Sequence, residues 1–504
     1  MTGEGVVKHR FFLAVLIILF LFSALMVFGS DPICSGNNAI STKSGYSSIG
    51  FMKEDDPRYE DKGSNSAAEV EYEDDYEEED EDSISQAIVR CRKELNSGAI
   101  EEGTEEYADK QNEWGYLFYK LSFFTWDVDN ILAALYLYDR AATIFKSKNT
   151  LLKLAEVKYR KGLAYIKYGL VTKDPFLLEE AESAFNESLK IYTKDRYPLD
   201  YARVQIELSK IFLGRSEVRD YKANVKKSIE LAEAALKINT EHGEKDEIQK
   251  AKHAIAKGYV RLSKLTGRAD DVKKGIDIFK EISGYYELKG YQKERIESLN
   301  GLGLALYQLY RITKREEYIR QSIDSYEKAL KSFEENKNYH NYSRVFSNLG
   351  IAYMILAHRT DKREHVEAAL NNFKHALKTY RGSKDKMRYA YLFDNLGSAY
   401  YDLGIYFDSI KDLNEAINCY KKSLQVKSYR EDSISNATAK SAIGTAYIKL
   451  GQMKKENRRS NLKKGIEYCK EALKIFREND YPLDYGTIER LIKGAELLMI
   501  FSSD

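Results

Sequence analysis

The sequence predicts an all-α protein: a solenoid of about eight helix pairs, closed by a C-terminal capping helix and preceded by an N-terminal hydrophobic helix and an acidic linker. Three observations carry that expectation. Proline numbers 5 in 504 residues, against a usual level of about 5%, and so little proline leaves long helices uninterrupted. Small residues return at a constant step of 47 along most of the chain. Within each step, two stretches place apolar residues three and four apart, the period of an amphipathic helix. Hydrophobic residues at 43% supply a large core, and four cysteines are too few for a disulfide scaffold.

The first element is the apolar run Phe11 to Phe28, interrupted by one polar residue, Ser23. Lys8, His9 and Arg10 precede it, and Asp31 follows. A basic flank ahead of a hydrophobic core is the pattern of an export signal, with Val27 and Gly29 at the two positions a cleavage site selects. The run is long for a cleaved signal and just long enough to span a bilayer. Residues 1–30 are therefore expected as a signal peptide or a signal-anchor transmembrane helix. The basic flank keeps the N-terminus cytoplasmic and sends everything after Asp31 outside, so the chain is expected at the membrane, as a single-pass protein, or secreted. Pro32 and Ile33 ahead of Cys34 do not suit lipid attachment.

Residues 31–85 read as a disordered linker, first rich in Ser, Gly and Asn and then acidic. In 69–82 eleven of fourteen residues are acidic, and charge that dense repels itself and leaves little to bury. Residues 51–82 hold 16 acidic and 3 basic side chains, and residues 83–504 hold 60 acidic and 73 basic. A formal net charge of +1 thus conceals an acidic linker joined to a basic body.

Stepping by 47 gives a column of Gly115, Gly162, Ser209, Ala256, Gly303, Gly350, Gly397 and Gly444. A second column follows 26 residues later: Ala141, Ser188, Ala235, Ile282, Ala329, Ala376 and Ser423, with Ala472 in a last unit two residues longer. Only Ile282 is not small. A small residue at one position lets two helix axes approach, and aromatics one turn away fill the grooves beside it. A single pair cannot bury its apolar stripe alone, so pairs stack. Pro198 and Pro482 stand where a following helix would begin.

These columns resemble the tetratricopeptide repeat family over roughly residues 107–500. In the sixth unit Phe346, Leu349, Gly350 and Tyr353 match the family's first-helix pattern, and Ala369, Phe373 and Ala376 match its second-helix pattern. Two departures stand out: the period is 47 rather than 34, with about seven extra residues between the helices and six between units, and the closing proline is absent. Extra residues in loops cost little, so the resemblance is to an expanded variant; HEAT-type pairs, with periods of about 40–47, are the alternative. The resemblance implies a right-handed α-solenoid over 86–504, with first helices lining a concave groove that captures peptides. Asn348 and Asn395 match a family position that often hydrogen-bonds a peptide backbone, and Arg344 and Tyr391, four residues earlier, would face the same groove. Residues 484–500 repeat the first-helix pattern without a partner, as an end cap does.

Catalytic chemistry finds no motif. Gly301 and Gly303 lack the third glycine of a phosphate loop, no Walker or H-E-x-x-H sequence is present, and Asp127 with Asp129 is a lone D-x-D. His358, His365 and His375 do not have metal-ligand spacing. No cofactor, no metal and no nucleic acid is expected. Cys469 takes the large-residue position of the last second helix, and Cys419 lies one residue out of register with it, so a disulfide between them is open. Glycosylation sequons occur at Asn186, Asn341 and Asn436. Tyrosine, at 39 residues, is expected mainly in helix packing. The function expected is a non-enzymatic scaffold or adaptor for proteins or peptides, with the membrane contacted through 11–28. An assembly or chaperone-like factor for exported proteins is the alternative, and a helical-toroid enzyme a more distant one.

Overall fold

The computed structural model describes residues 81–172, 174, 176–215, 221–331, 342–360, 362–380, 386–427, 434–454 and 456–501. The apolar run 11–28, Cys34, Asn341 and the acidic stretch to residue 80 lie outside them. Among the described residues there are helices and no strands, and no helix is long and apolar enough to cross a membrane.

Helix α1 (Glu81–Asn96) precedes eight pairs. These are α2 (Glu105–Thr125) with α3 (Val128–Ser147), α4 (Leu151–Thr172) with α5 (Leu177–Leu189), α6 (Pro198–Arg215) with α7 (Tyr221–His242), and α8 (Lys245–Thr266) with α9 (Ala269–Lys289). They continue as α10 (Gln292–Thr313) with α11 (Glu316–Lys331), α12 (Tyr342–Thr360) with α13 (Arg363–Thr379), α14 (Lys386–Tyr406) with α15 (Ile410–Lys427), and α16 (Ile434–Met453) with α17 (Arg458–Leu473). Helix α18 (Pro482–Phe501) closes the series. Each helix packs on the one before it and the one after it, and first helices of neighbouring pairs also touch. This is an α-solenoid whose first helices share one face.

The small-residue column is where each pair closes. A Cβ on Gly162 would lie 2.6 Å from the Phe185 ring, one on Gly350 2.5 Å from Phe373, and one on Gly397 2.7 Å from Tyr420. Gly115 meets Tyr138 and Gly303 meets Tyr326 in the same way. At Gly444 the neighbour is Cys469, whose Sγ would lie 2.6 Å away, so this cysteine does replace the ring. At Ser209 the residue in register is the small Ala232, and the serine hydroxyl lies 3.1 Å from that of Ser228; at Ala256 the residue in register is again a ring, Phe279, in the same core cluster. Ile282, the outlier of the second column, is fully buried.

The extra residues of the 47-residue unit are not where the loop argument put them. They lengthen the helices, which run to 22 residues in α4, α8 and α10. The connections inside pairs shrink to two residues at Trp126–Asp127, Gly267–Arg268 and Lys314–Arg315. A residue added to a helix satisfies its own N–H and C=O and extends the packed stripe, whereas one added to a loop leaves both groups to solvent. Tight ends need left-handed backbone, supplied by Gly267 (φ 68°) but also by Trp126 (φ 52°) and Lys314 (φ 56°). Pro198 and Pro482 open α6 and α18 as expected.

Both ends carry an unpaired helix. Helix α1 begins at Glu81, ahead of the expected boundary at 86, and buries Ile84, Cys91 and Leu95 against α2. Helix α18 buries Ile488, Ile492 and Ala495 on the last pair, yet Leu483 and Ile500 remain 72% and 73% exposed. Nothing lies within 4 Å of a Cβ built on its Gly494.

Overpacking a tight core costs about 1–3 kcal/mol. Gly350→Leu is therefore expected to lower the thermal midpoint, with faster hydrogen exchange confined to pairs five to seven, since solenoid stability is a nearest-neighbour sum. Lys378→Leu, exposed on α13, should be close to silent. Equal midpoints for the two variants would show that the register is wrong.

Candidate binding face of the first helices

Residues one repeat apart on successive first helices are joined directly. Glu156 on α4 accepts from Arg203 on α6 at 2.7 Å and from Arg160 on its own helix at 3.1 Å. Arg160 also reaches back to Asn112 on α2 at 3.3 Å and lies over the Tyr116 ring at 4.4 Å. Arg203 stacks over Tyr159 at 4.2 Å. Burial pushes the Glu156 carboxyl up, but Arg203 and Arg160 outweigh it and hold the group below its ordinary range. Deeper along the same face, the ammonium of Lys167, 2% exposed, sits 3.8 Å from the Phe123 ring centre and 4.0 Å from that of Trp126. A buried cation over aromatic faces is held by the ring quadrupoles.

The C-terminal half uses other chemistry at the same level. Asn348 on α12 donates to Asn300 on α10 at 3.0 Å, and both are buried. In the next repeat the ladder stops: Nδ2 of Asn395 is buried without a hydrogen-bond partner, as is Oδ1 of Asp394. The other Asp394 oxygen pairs with Lys427, which rises from α15 and is 1% exposed at its side chain. The Lys427 ammonium also lies 5.1 Å from the centre of the Tyr391 ring. Farther along, His358 on α12 meets Asp402 on α14 at 2.7 Å. Burial raises the Asp402 carboxyl above its ordinary value, and contact with His358 draws it partly back.

The four sequence candidates therefore divide. Tyr391 and Asn395 lie together with Asp394 on α14, beside the two unpartnered atoms. Arg344 is half-buried on α12, and Asn348 is committed to Asn300, a structural bond rather than a free recognition group. The reason is the step itself: neighbouring first helices lie close enough for an asparagine pair to close between them. Lys167, Lys427 and Asp402 were missed, because a single charged residue inside an amphipathic pattern shows nothing of its burial.

Other sequence signals resolve into packing. Gly301 faces Phe279, with a Cβ there 2.5 Å from the ring. The Asp127 carboxylate caps α3 by accepting from the Asp129 N–H at 3.2 Å. Cys91, Cys419 and Cys469 are free and buried, and burial pushes the Cys419 and Cys469 thiols up to about 12. Of the sequons, Asn186 is exposed on α5, whereas Asn436 is 2% exposed and in the folded chain has no room for a glycan.

Residues 295–334 match the family described as tetratricopeptide repeat. No curated protein matches the chain. Among solved structures, BtubC (BKLC) from P. vanneervenii is 18% identical, with 50% of this chain and 90% of that one covered and a TM-score of 0.38. RapI in its apo form is 15% identical, covering 68% and 99%, with a TM-score of 0.39. A Rap protein complexed with competence and sporulation factor is 11% identical, covering 79% and 99%, with a TM-score of 0.41.

The two asparagines should respond oppositely to truncation. Asn348→Ala strands the buried Asn300 carbonyl and is expected to cost about 1–3 kcal/mol. Asn395→Ala removes a donor that has no partner and should be neutral or mildly stabilising. Denaturant midpoints of the two full-length variants decide it, and equal losses would contradict the assignment.

Proposed function

As a tetratricopeptide repeat protein this chain, we propose, is a non-enzymatic interaction scaffold whose first-helix face binds an extended peptide segment. The observation that carries the reading is the broken ladder on α14. A buried donor and a buried acceptor without partners, Asn395 Nδ2 and Asp394 Oδ1, cost free energy unless something arrives to bond them. A peptide backbone offers both complements, a carbonyl for the amide and an N–H for the carboxylate. Tyr391 alongside supplies rigid area with a polar tip. Three carboxylates of this face, Glu156, Asp394 and Asp402, are paired with Arg203, Lys427 and His358.

The test is a peptide array probed with the full chain, followed by affinity measurements on the strongest peptide. One hydrogen bond contributes about 0.5–1.5 kcal/mol, so Asn395→Ala should weaken binding roughly 2- to 12-fold, while Lys237→Ala, exposed on α7, should not. Unchanged affinity in Asn395→Ala would remove this face from consideration.

We also propose that residues 1–30 place the solenoid outside the cytoplasm, membrane-tethered or exported, on the strength of Lys8 and Arg10 ahead of the apolar run. Protease added to intact cells should digest residues beyond 31. Digestion of the repeats only after lysis would overturn that topology.

A further inference from the structure

The basic excess of the body is not spread evenly over the solenoid. The eight first helices α2 to α16 hold 25 basic and 13 acidic residues, whereas the eight second helices α3 to α17 hold 25 and 24, so the difference lies in the fewer acidic residues of the first helices. Helix α8 holds the most basic residues, six against two acidic, with α4 next at five against one. Lys250, Lys257, Arg261 and Lys264 are spaced seven, four and three apart, which puts all four on one side of the helix. They stand six before and one, five and eight after Ala256. Those are the columns through which other first helices touch each other: Glu156 and Arg203 at minus six, Tyr116 at plus one, Lys167 and Asp402 at plus five, Phe123 and His358 at plus eight. The stripe therefore lies on the first-helix face. Its flanks carry Arg203 and Lys210 on α6 and Arg311 on α10, against Glu207, which pairs with Lys210 at 2.9 Å, and Glu297. Lys250 meets Glu247 at 3.2 Å with its side chain 27% exposed. Such a pair within one helix is weak.

We propose that this stripe is the docking site of the chain's own acidic segment, residues 54–80, which occupies the first-helix face until an acidic partner displaces it. The proposal rests on the reading of that face as a peptide-binding surface and adds its regulation. Residues 54–80 contain 14 acidic and 2 basic side chains, with Tyr72 and Tyr76 set among the densest charges. The segment runs directly into α1 at Glu81. First helices lie about 8–10 Å apart where they pack, so α8 is three steps, under about 30 Å, from α2. Ten extended residues span about 33 Å, and 27 are available. Joining the segment and the solenoid in one chain makes the encounter intramolecular, with an effective concentration on the order of millimolar, so a weak site is enough for occupancy. Attraction between such charges is screened over about 8 Å at physiological salt, so the contact opens as salt rises.

Two measurements on the full chain test it. Zero-length carbodiimide cross-linking at low salt joins carboxylates to lysines in contact, and should link residues 54–80 to Lys250, Lys257 or Lys264, with the links lost at about 0.5 M salt. A labelled polyglutamate peptide should bind a variant with the acidic residues of 69–80 changed to Asn and Gln at least fivefold more tightly than the native chain at low salt. This variant leaves the folded repeats untouched, so misfolding does not confuse the result. Links falling equally on the second-helix lysines Lys421, Lys422, Lys463 and Lys464 would overturn the proposal. So would equal polyglutamate affinity for the two chains, which would leave a face open to acidic partners but not guarded by its tether. Binding of the array peptide through Asn395, measured in the same samples, separates the two readings: its survival confines the failure to the tether, and its absence condemns the face itself.

Discussion

The close approach of two helices at a residue without a side chain sets the terms for everything else in this fold. A ring on the second helix lies where the Cβ of Gly162, Gly350 or Gly397 would be, and that contact fixes the distance, rotation and register of each pair. Once pairs are identical in this respect, the step from one to the next is also fixed. Residues 47 or 48 apart, such as Glu156 with Arg203 or Asn300 with Asn348, then meet without any local sequence signal. At the glycines of the column the facing residue is a ring or, at Gly444, a thiol.

The polar contacts between first helices do a second job. Apolar packing along the column would tolerate sliding by a turn, because many residues there are alike. A buried asparagine pair or an arginine held between a carboxylate and a tyrosine ring does not, since a shifted register would leave each group desolvated and unbonded. The cost of a wrong register is thus concentrated in a few residues, and different repeats use different chemistry for it. On α14 the unpartnered donor and acceptor fall on adjacent residues, Asp394 and Asn395.

Helix identity, repeat step and the pairing of the columns were legible in the sequence because they depend on periodicity, and periodicity survives without coordinates. The terminal helix α18 was legible for the same reason. What stayed hidden depends on distance across repeats. Asn348 carried the right residue type for ligand recognition, and only the position of Asn300 shows that it is spent. The length of the helices was also misjudged: HRTDKRE at 358–364 looks like a polar loop, but α12 runs to Thr360 and α13 starts at Arg363. Charged residues on the outward side of a helix and in a loop have the same composition, so composition could not tell them apart. Lys167 and Lys427 show the limit most clearly, since a lysine buried among rings or against one aspartate reads in sequence as any solvated lysine.

The lengthened helices change the scale of what this surface can read. A first helix of 22 residues is about 33 Å long, and an extended segment advances about 3.3 Å per residue. Ten residues of ligand can therefore lie along a single repeat before the next is engaged. Recognition on such a wall has two directions, up one helix and across to its neighbour, so two ligands of unlike sequence can share the same repeats while following different paths over them.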